Sequence, residues 1–507
     1  MTFLQDSLLQ FSLSRTSKVS SSLTDKDQTS VSRGLLLPSV TVEFTPANAP
    51  FDGRWWSPTD LNNVIGGRLE LDQGIWRVFL SGWIGPWESS SEVHEIPELI
   101  HGNVGTTPVT LLNLVPGGYS GGIGTAPHES RISANIVLVG IHATSETKYT
   151  KAWMRPLHLN EWANRRPWQE SFKRVDDKGS SDGVTVAMPD ILTAEIKGAK
   201  VFLGRSLQRE TDLSHFKFSS DEWIGFEFSD PFDIETIERE FSRPLRYFLE
   251  LASNVSCPQL GFELTAEGAA VTDLPATVLS SLHRGHTSAT RHSFQLLFNL
   301  SDTNFETVIP MWWQLQEEIG VVTDLWASLR RRSFVGNDFM NAATAVESYH
   351  RHRHPTQVTD SHKSRIKTIL EAVPEDDREW LKGFLNNSHE PSFSNRMDDV
   401  VSEAGDFFTA AIGSPKSWRN WVRDGRVGTA HRGPNMINVD SEWTETIVLT
   451  ATVQWLLTIV FLEAIGIADT VYEQRIQQWG DLNWYSTRLH ELKPAWFPEV
   501  GATAPGS

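Results

Sequence analysis

The chain has 507 residues, of which 39% are hydrophobic and 21% charged, with one cysteine, Cys257, and a formal net charge of −18. Such a length exceeds one ordinary core, the composition excludes wholesale disorder, and a lone cysteine excludes intrachain disulfides and cysteine-cluster zinc sites. The acidic surplus repels polyanions at long range, so non-specific coating of DNA is excluded and any nucleic-acid site must be a local basic patch.

Residues 1–34 are polar, lack a basic leader and read as a flexible leader rather than a secretory signal. Over residues 35–165 short β-rich runs recur at 40–44, 67–71, 75–80, 109–114 and 132–139, with Asp72, Gln73 and Gly74 as a hairpin turn. Glycine- and proline-rich loops space these runs as in an antiparallel sandwich or barrel. Charged residues 165–183 read as a linker to a second, α+β unit spanning 184–302. In that unit strands are expected at 191–209, 216–228 and 259–264. Its helix, 233–252, is marked by Ile234, Ile237, Phe241, Leu245, Phe248 and Leu249 at helical spacing.

Residues 303–490 read as almost wholly helical, with helices expected near 305–332, 336–351, 361–370, 375–385, 396–412, 418–425 and 443–467, before a tail at 491–507. The fold class is therefore α+β multidomain, a β-rich N-terminal half followed by an all-α bundle. Residues 447–465 are long enough to span a membrane. Thr450, Thr452, Gln454, Thr458 and Glu463 load that run with polar groups, so it reads as a buried core helix of a cytoplasmic protein with no membrane partner.

Three short patterns bear on chemistry. Gly118-Tyr119-Ser120-Gly121-Gly122 has the form of a serine-hydrolase nucleophile elbow, but no helix pattern follows Ser120 and a flexible glycine loop is the default reading. His350, His352 and His354 alternate in a basic helix end; with Arg351, Arg353, Lys363, Arg365 and Lys367 they suit an RNA-contacting patch or a solvated surface better than a metal site. The third pattern is Arg426-Val427-Gly428-Thr429-Ala430-His431. A permanently charged phosphate clamp and a side chain that exchanges protons near neutral pH are what cleavage of an RNA phosphodiester needs. Residues five apart on an ideal helix differ by about 140° and 7.5 Å of rise, so within one copy the pair needs a bend, which Gly428 makes inexpensive. In the helix before them Phe339, Ala342, Val346 and Tyr349 form an inward stripe with Glu347 at its edge, where it either orients the basic pair or is simply solvated.

Residues 339–349 and 422–433 resemble a HEPN domain of the ApeA-like kind, a helical bundle marked by an arginine, usually a polar residue, three variable positions and a histidine. The N-terminal half agrees: Phe51-Asp-Gly-Arg-Trp-Trp-Ser-Pro58 and the stretches 65–71, 109–112 and 136–142 resemble the β-rich domain paired with that bundle in ApeA-like antiphage proteins. The resemblance implies a metal-independent endoribonuclease without cofactors, with Arg426 and His431 catalytic and Glu347 and Thr429 supporting. The basic residues His350, Arg351, Arg353, Lys363, Arg365, Arg423 and Arg432 are the expected RNA contacts. The expected partners are RNA, tRNA among the candidates, a phage-encoded trigger, and a second copy in a homodimer through the HEPN domain. Val427 departs from the pattern because it can neither donate to a phosphate nor accept from a neighbour. A catalytically inactive module that binds RNA or protein is the alternative.

Overall fold

The computed structural model describes residues 11–12, 36–37, 48–85, 95–120, 128–175, 179–211, 216–270, 273–280, 290–331, 333–385, 388–431 and 443–497. The expected leader falls almost entirely outside these residues, as do the strand at 40–44 and the end of the tail. Two compact units form, Met1–Arg246 with Cys257–Thr287, and Tyr247–Ser256 with Ser288–Ser507.

Six antiparallel strands of the first unit close into a barrel. They are β1 (Phe51–Ser57), β2 (Asp60–Asp72), β3 (Ile75–Leu80), β4 (Leu99–Val104), β5 (Thr107–Ser120) and β6 (Glu129–Val139), ordered β6-β3-β2-β1-β4-β5 with β5 pairing back onto β6. Alternating side chains fill it, among them Trp55, Leu69, Trp76, Val78, Ile100, Val109, Leu111 and Ile132. Gln73 and Gly74 both adopt positive φ, which is how the turn expected between β2 and β3 matches the twist of its strands. Opposite Trp55 only glycine fits, since a Cβ on Gly102 would lie 2.2 Å from the indole.

The second half of β6 pairs with Ala276–Ser280, opening a further sheet that contains Gln259–Ala266, Tyr149–Pro156, Phe216–Phe232, Ala199–Thr211 and Leu192–Ile196. This corrects the expected division at 165–184, because strands on both sides of it share one hydrogen-bonded sheet. Trp168–Val175 and Gly179–Val186 pair as a hairpin where a linker was expected. The helix expected at 233–252 is interrupted by a π turn, Glu238–Ser242, just before Pro244, which has no N–H to give the ladder. Ser120 ends β5 on the exposed surface, with no helix following among the described residues.

The second unit is helical: α1 (Phe305–Ile319), α2 (Val322–Ser328), α3 (Val335–Arg353), α4 (Asp360–Glu371), α5 (Glu375–Leu385), α6 (Phe393–Glu403), α7 (Gly405–Ile412), α8 (Pro415–His431), α9 (Trp443–Ala464), α10 (Asp469–Trp479) and α11 (Leu482–Leu492). Asn304, Thr359 and Ser392 cap α1, α4 and α6 through their side chains. Two expected helices each divide at a glycine with positive φ, Gly320 after α1 and Gly405 at the first position of α7. The apolar helix α9 lies inside the unit, with 78% of its most hydrophobic window buried. Its polar groups find partners there: Trp418 Nε1 donates to Thr452 at 2.9 Å, Trp326 Nε1 to Thr458 at 3.1 Å, and the Tyr472 hydroxyl to Glu463 at 2.9 Å.

In the first unit, burial pushes the Glu263 carboxyl up to about 7, against the opposing pull of Arg155. A raised carboxyl favours the protonated folded form, so stability is expected to fall as pH rises from about 4.5 to about 7. Urea midpoints across that window should flatten in Glu263→Gln; an unchanged slope would refute the assignment.

Candidate functional site

Arg426 and His431 lie on α8, whose inward stripe runs through Trp418, Trp421 and Val422 and continues with the buried glycines Gly425 and Gly428. The helix runs through residue 431 without a break, so the bend at Gly428 that convergence within one copy would need is not made. Gly428 is buried, where a broken ladder would leave amide and carbonyl groups without water to satisfy them. Positions 426 and 431 therefore point about 140° apart around one axis. The side chains of Thr429 and His431, and all of Arg432, lie outside the described residues.

Arg426 is held from two sides. Its Nη2 lies 2.7 Å from Glu347 Oε2, and its guanidinium carbon lies 4.7 Å over the Phe393 ring, within cation–π range. Glu347 occupies its position because Phe339, Ala342, Val346 and Tyr349 bury the inner face of α3, leaving the neighbouring position at the rim. Its side chain is only 17% exposed, and its other oxygen accepts from Arg351 Nη2 at 3.1 Å. One carboxylate thus aligns two guanidiniums, and the three groups together carry one net positive charge. A guanidinium has five N–H donors, so each arginine keeps capacity for a phosphate while bound to Glu347.

A second layer supports the first. Glu390 Oε2 lies 3.4 Å from Arg351 and 2.7 Å from Arg396 Nη2. Arg396, buried on α6, also donates to the Pro391 carbonyl at 3.1 Å and approaches His350 Nδ1 at 3.3 Å. Because a guanidinium can only donate, Nδ1 is the acceptor, which leaves Nε2–H to donate to Asp399 at 2.8 Å. Beside it Tyr349 donates to Glu403 at 2.6 Å, and burial together with that carboxylate pushes the phenol well above its ordinary pKa.

The expected RNA-contacting residues separate. Arg351 joins the Arg426 cluster, whereas Arg353 pairs with Glu318 and Arg423 with Asp424. Lys363 and Arg365 stand on the exposed helix α4. His350 corrects the expectation of a surface contact, being 1% exposed and engaged by Arg396 and Asp399. Of the alternating histidines, His350 and His354 pack with ring centroids 4.8 Å apart and His354 lies 3.2 Å from Glu403, whereas His352 turns away to the Ser348 carbonyl. Among the described residues no group of three or more His, Cys, Asp or Glu side chains is placed to hold a metal ion. Glu390, Phe393 and Arg396 were not singled out by sequence reasoning. The one available signal was Arg396 at an inward position of the stripe formed with Met397, Val400 and Val401.

Two family models match the chain, ApeA N-terminal domain 1 over residues 50–312 and Apea-like HEPN over residues 340–471. The second contains Glu347, Arg351, Arg396, Arg426 and His431. No curated protein and no solved structure matches.

Removing Arg396 strips the part-exposed Glu390 of its buried cation and leaves His350 Nδ1 without its donor. Arg396→Ala is expected to cost about 2 kcal/mol in chemical denaturation. Arg351→Ala, at an exposed pair, should cost less than about 1 kcal/mol. Equal losses would contradict the division into an aligning surface pair and a buried support.

Proposed function

Because the chain belongs to the ApeA-like family of antiphage-defence proteins, joining an ApeA N-terminal domain to an Apea-like HEPN domain, we propose that it is a cytoplasmic, metal-independent endoribonuclease. HEPN domains are generally ribonucleases. The observation that carries the reading for this chain is the cluster of Arg426, Glu347 and Arg351, half-open to solvent and inside the matched HEPN region. Glu347 supplies Arg426 with the polar neighbour that Val427 cannot provide.

In this reading Arg426 holds the scissile phosphate and neutralises charge on the pentacoordinate transition state, with Arg351 beside it. His431 takes the 2′-hydroxyl proton or protonates the departing 5′-oxygen. The 2′-oxygen attacks phosphorus, the bond to the 5′-oxygen breaks, and the products are a 2′,3′-cyclic phosphate and a free 5′-hydroxyl. The nucleophile belongs to the substrate, so the chemistry asks no metal to generate hydroxide. Since positions 426 and 431 diverge on one helix, the reading pairs two copies, each completing the other's site across a two-fold contact. Phage infection supplies the trigger through the N-terminal unit, and cleavage of host RNA, with tRNA a substrate to test first, halts translation.

Val427 favours one rival, a module that binds RNA without cutting it. Purified protein incubated with RNA discriminates between the two. Cyclic-phosphate ends are expected, resistant to chelator, and slowed about 100-fold or more in Arg426→Ala and His431→Ala. Binding without new termini decides for the rival, while undiminished cutting by His431→Ala, or its abolition by chelator, would falsify the mechanism.

A further inference from the structure

The hairpin formed by α4 and α5 has two helices of 12 and 11 residues and no buried residue in either. Helices this short are marginal in water and draw their stability from packing an apolar face. Here apolar side chains stay open instead. Trp380 and Phe384, one turn apart on α5, are 65% and 69% exposed, with ring centroids 4.9 Å apart.

Between the helices runs a groove of about 430 Å³ whose apolar floor includes Ile366, Leu370 and Leu385. Lys363, Lys367 and Arg378 stand around it, and Glu371 is the one acidic residue lining it among the described residues. The other helix is acidic on balance, since α5 carries Glu375, Asp376, Asp377 and Glu379 against Arg378, which lines the groove, and Lys382, in an exposed pair with Glu379 at 3.4 Å. One hairpin therefore presents both a basic-rimmed apolar socket and an aromatic plug on an acidic helix. Self-complementarity of this kind is what a two-fold contact requires, because each copy must offer both halves.

We propose that this hairpin is a self-association surface on which a second copy of this chain seats Trp380 and Phe384 in the groove and receives the first copy's pair in return. The contact stands independently of the RNA-cleavage reading. Aromatic side chains bury about 150–250 Å² each when fully covered, and with about two-thirds of each ring still open the four rings alone supply roughly 400–700 Å² of the about 1,200–2,000 Å² typical of a stable interface. The present partners of the rim lysines do not oppose it. Lys363 with Asp360 at 3.1 Å and Lys367 with Glu371 at 3.8 Å are exposed pairs along one helix, which contribute little and are readily exchanged. The hairpin also leads through His389 into Glu390, 3.4 Å from Arg351, so association here joins two copies at the margin of the Arg426 cluster.

Sedimentation equilibrium of the full chain tests the proposal. Wild type is expected to be dimeric at micromolar concentration, with dissociation about tenfold or more easier in Trp380→Glu/Phe384→Glu. Lys363→Glu/Lys367→Glu and Asp376→Lys/Glu379→Lys should each be monomeric alone yet form a one-to-one pair when mixed, because mixing restores opposite charges at both contacts. Circular dichroism of each variant checks that its helices persist. The proposal is overturned by a monomeric wild type, by an aromatic variant as dimeric as wild type, or by charge-swapped chains that do not pair. A wild type that stays monomeric but binds an oligoribonucleotide, and loses that binding in Lys363→Glu/Lys367→Glu, overturns it in favour of an RNA surface.

Discussion

An unbroken helix fixes how this site can work. Arg426 and His431 are five positions apart on α8, and continuous helical geometry directs those positions to different sides of one axis. A kink would have allowed convergence within one copy. It is absent because the inner face of α8, from Trp418 through Gly428, is packed inside the helical unit, where an interrupted hydrogen-bond ladder has no water to replace it. In the proposed ribonuclease reading, the cost of bringing the two groups to one phosphate passes from the backbone to association of two copies.

The arginine is preorganised by charge and by a ring. The Phe393 ring under it and Glu347 at its Nη2 restrict the guanidinium, and Arg351 on the same carboxylate keeps the cluster positive despite an acidic chain. A lone surface arginine would spend part of its binding energy on losing rotamer freedom, and here that loss is largely incurred during folding. Behind this pair, Arg396 and His350 form a buried, directional set of hydrogen bonds that ties α3 to α6. Its fixed donor and acceptor pattern leaves few alternative packings for the two helices that carry Glu347, Arg351 and Phe393.

The N-terminal unit follows a different logic. A closed barrel has no free edge, so its stability does not require another chain to cover one. Continuation of β6 into the adjoining sheet makes the strands on either side of residue 165 a single hydrogen-bonded structure. A ligand acting on one part of this sheet therefore meets a connected body rather than two units joined by a slack tether.

Local pattern was enough for the class of each half, since alternation along β2 and β3, the turn at Gln73 and Gly74, and the inward stripe Phe339, Ala342, Val346 and Tyr349 are written in neighbouring residues. Domain division was not legible that way, because β6 meets its partner at 276–280 across more than a hundred residues and no local period encodes such a pairing. The same limit divided the site. Arg426 and its position near a helix end could be read from sequence, and Glu347 could be named as a neighbour. The Phe393 ring, the Arg396 support and the inward turn of His350 were decided by how α3, α6 and α8 pack, since only packing determines which face of a polar helix end loses its water.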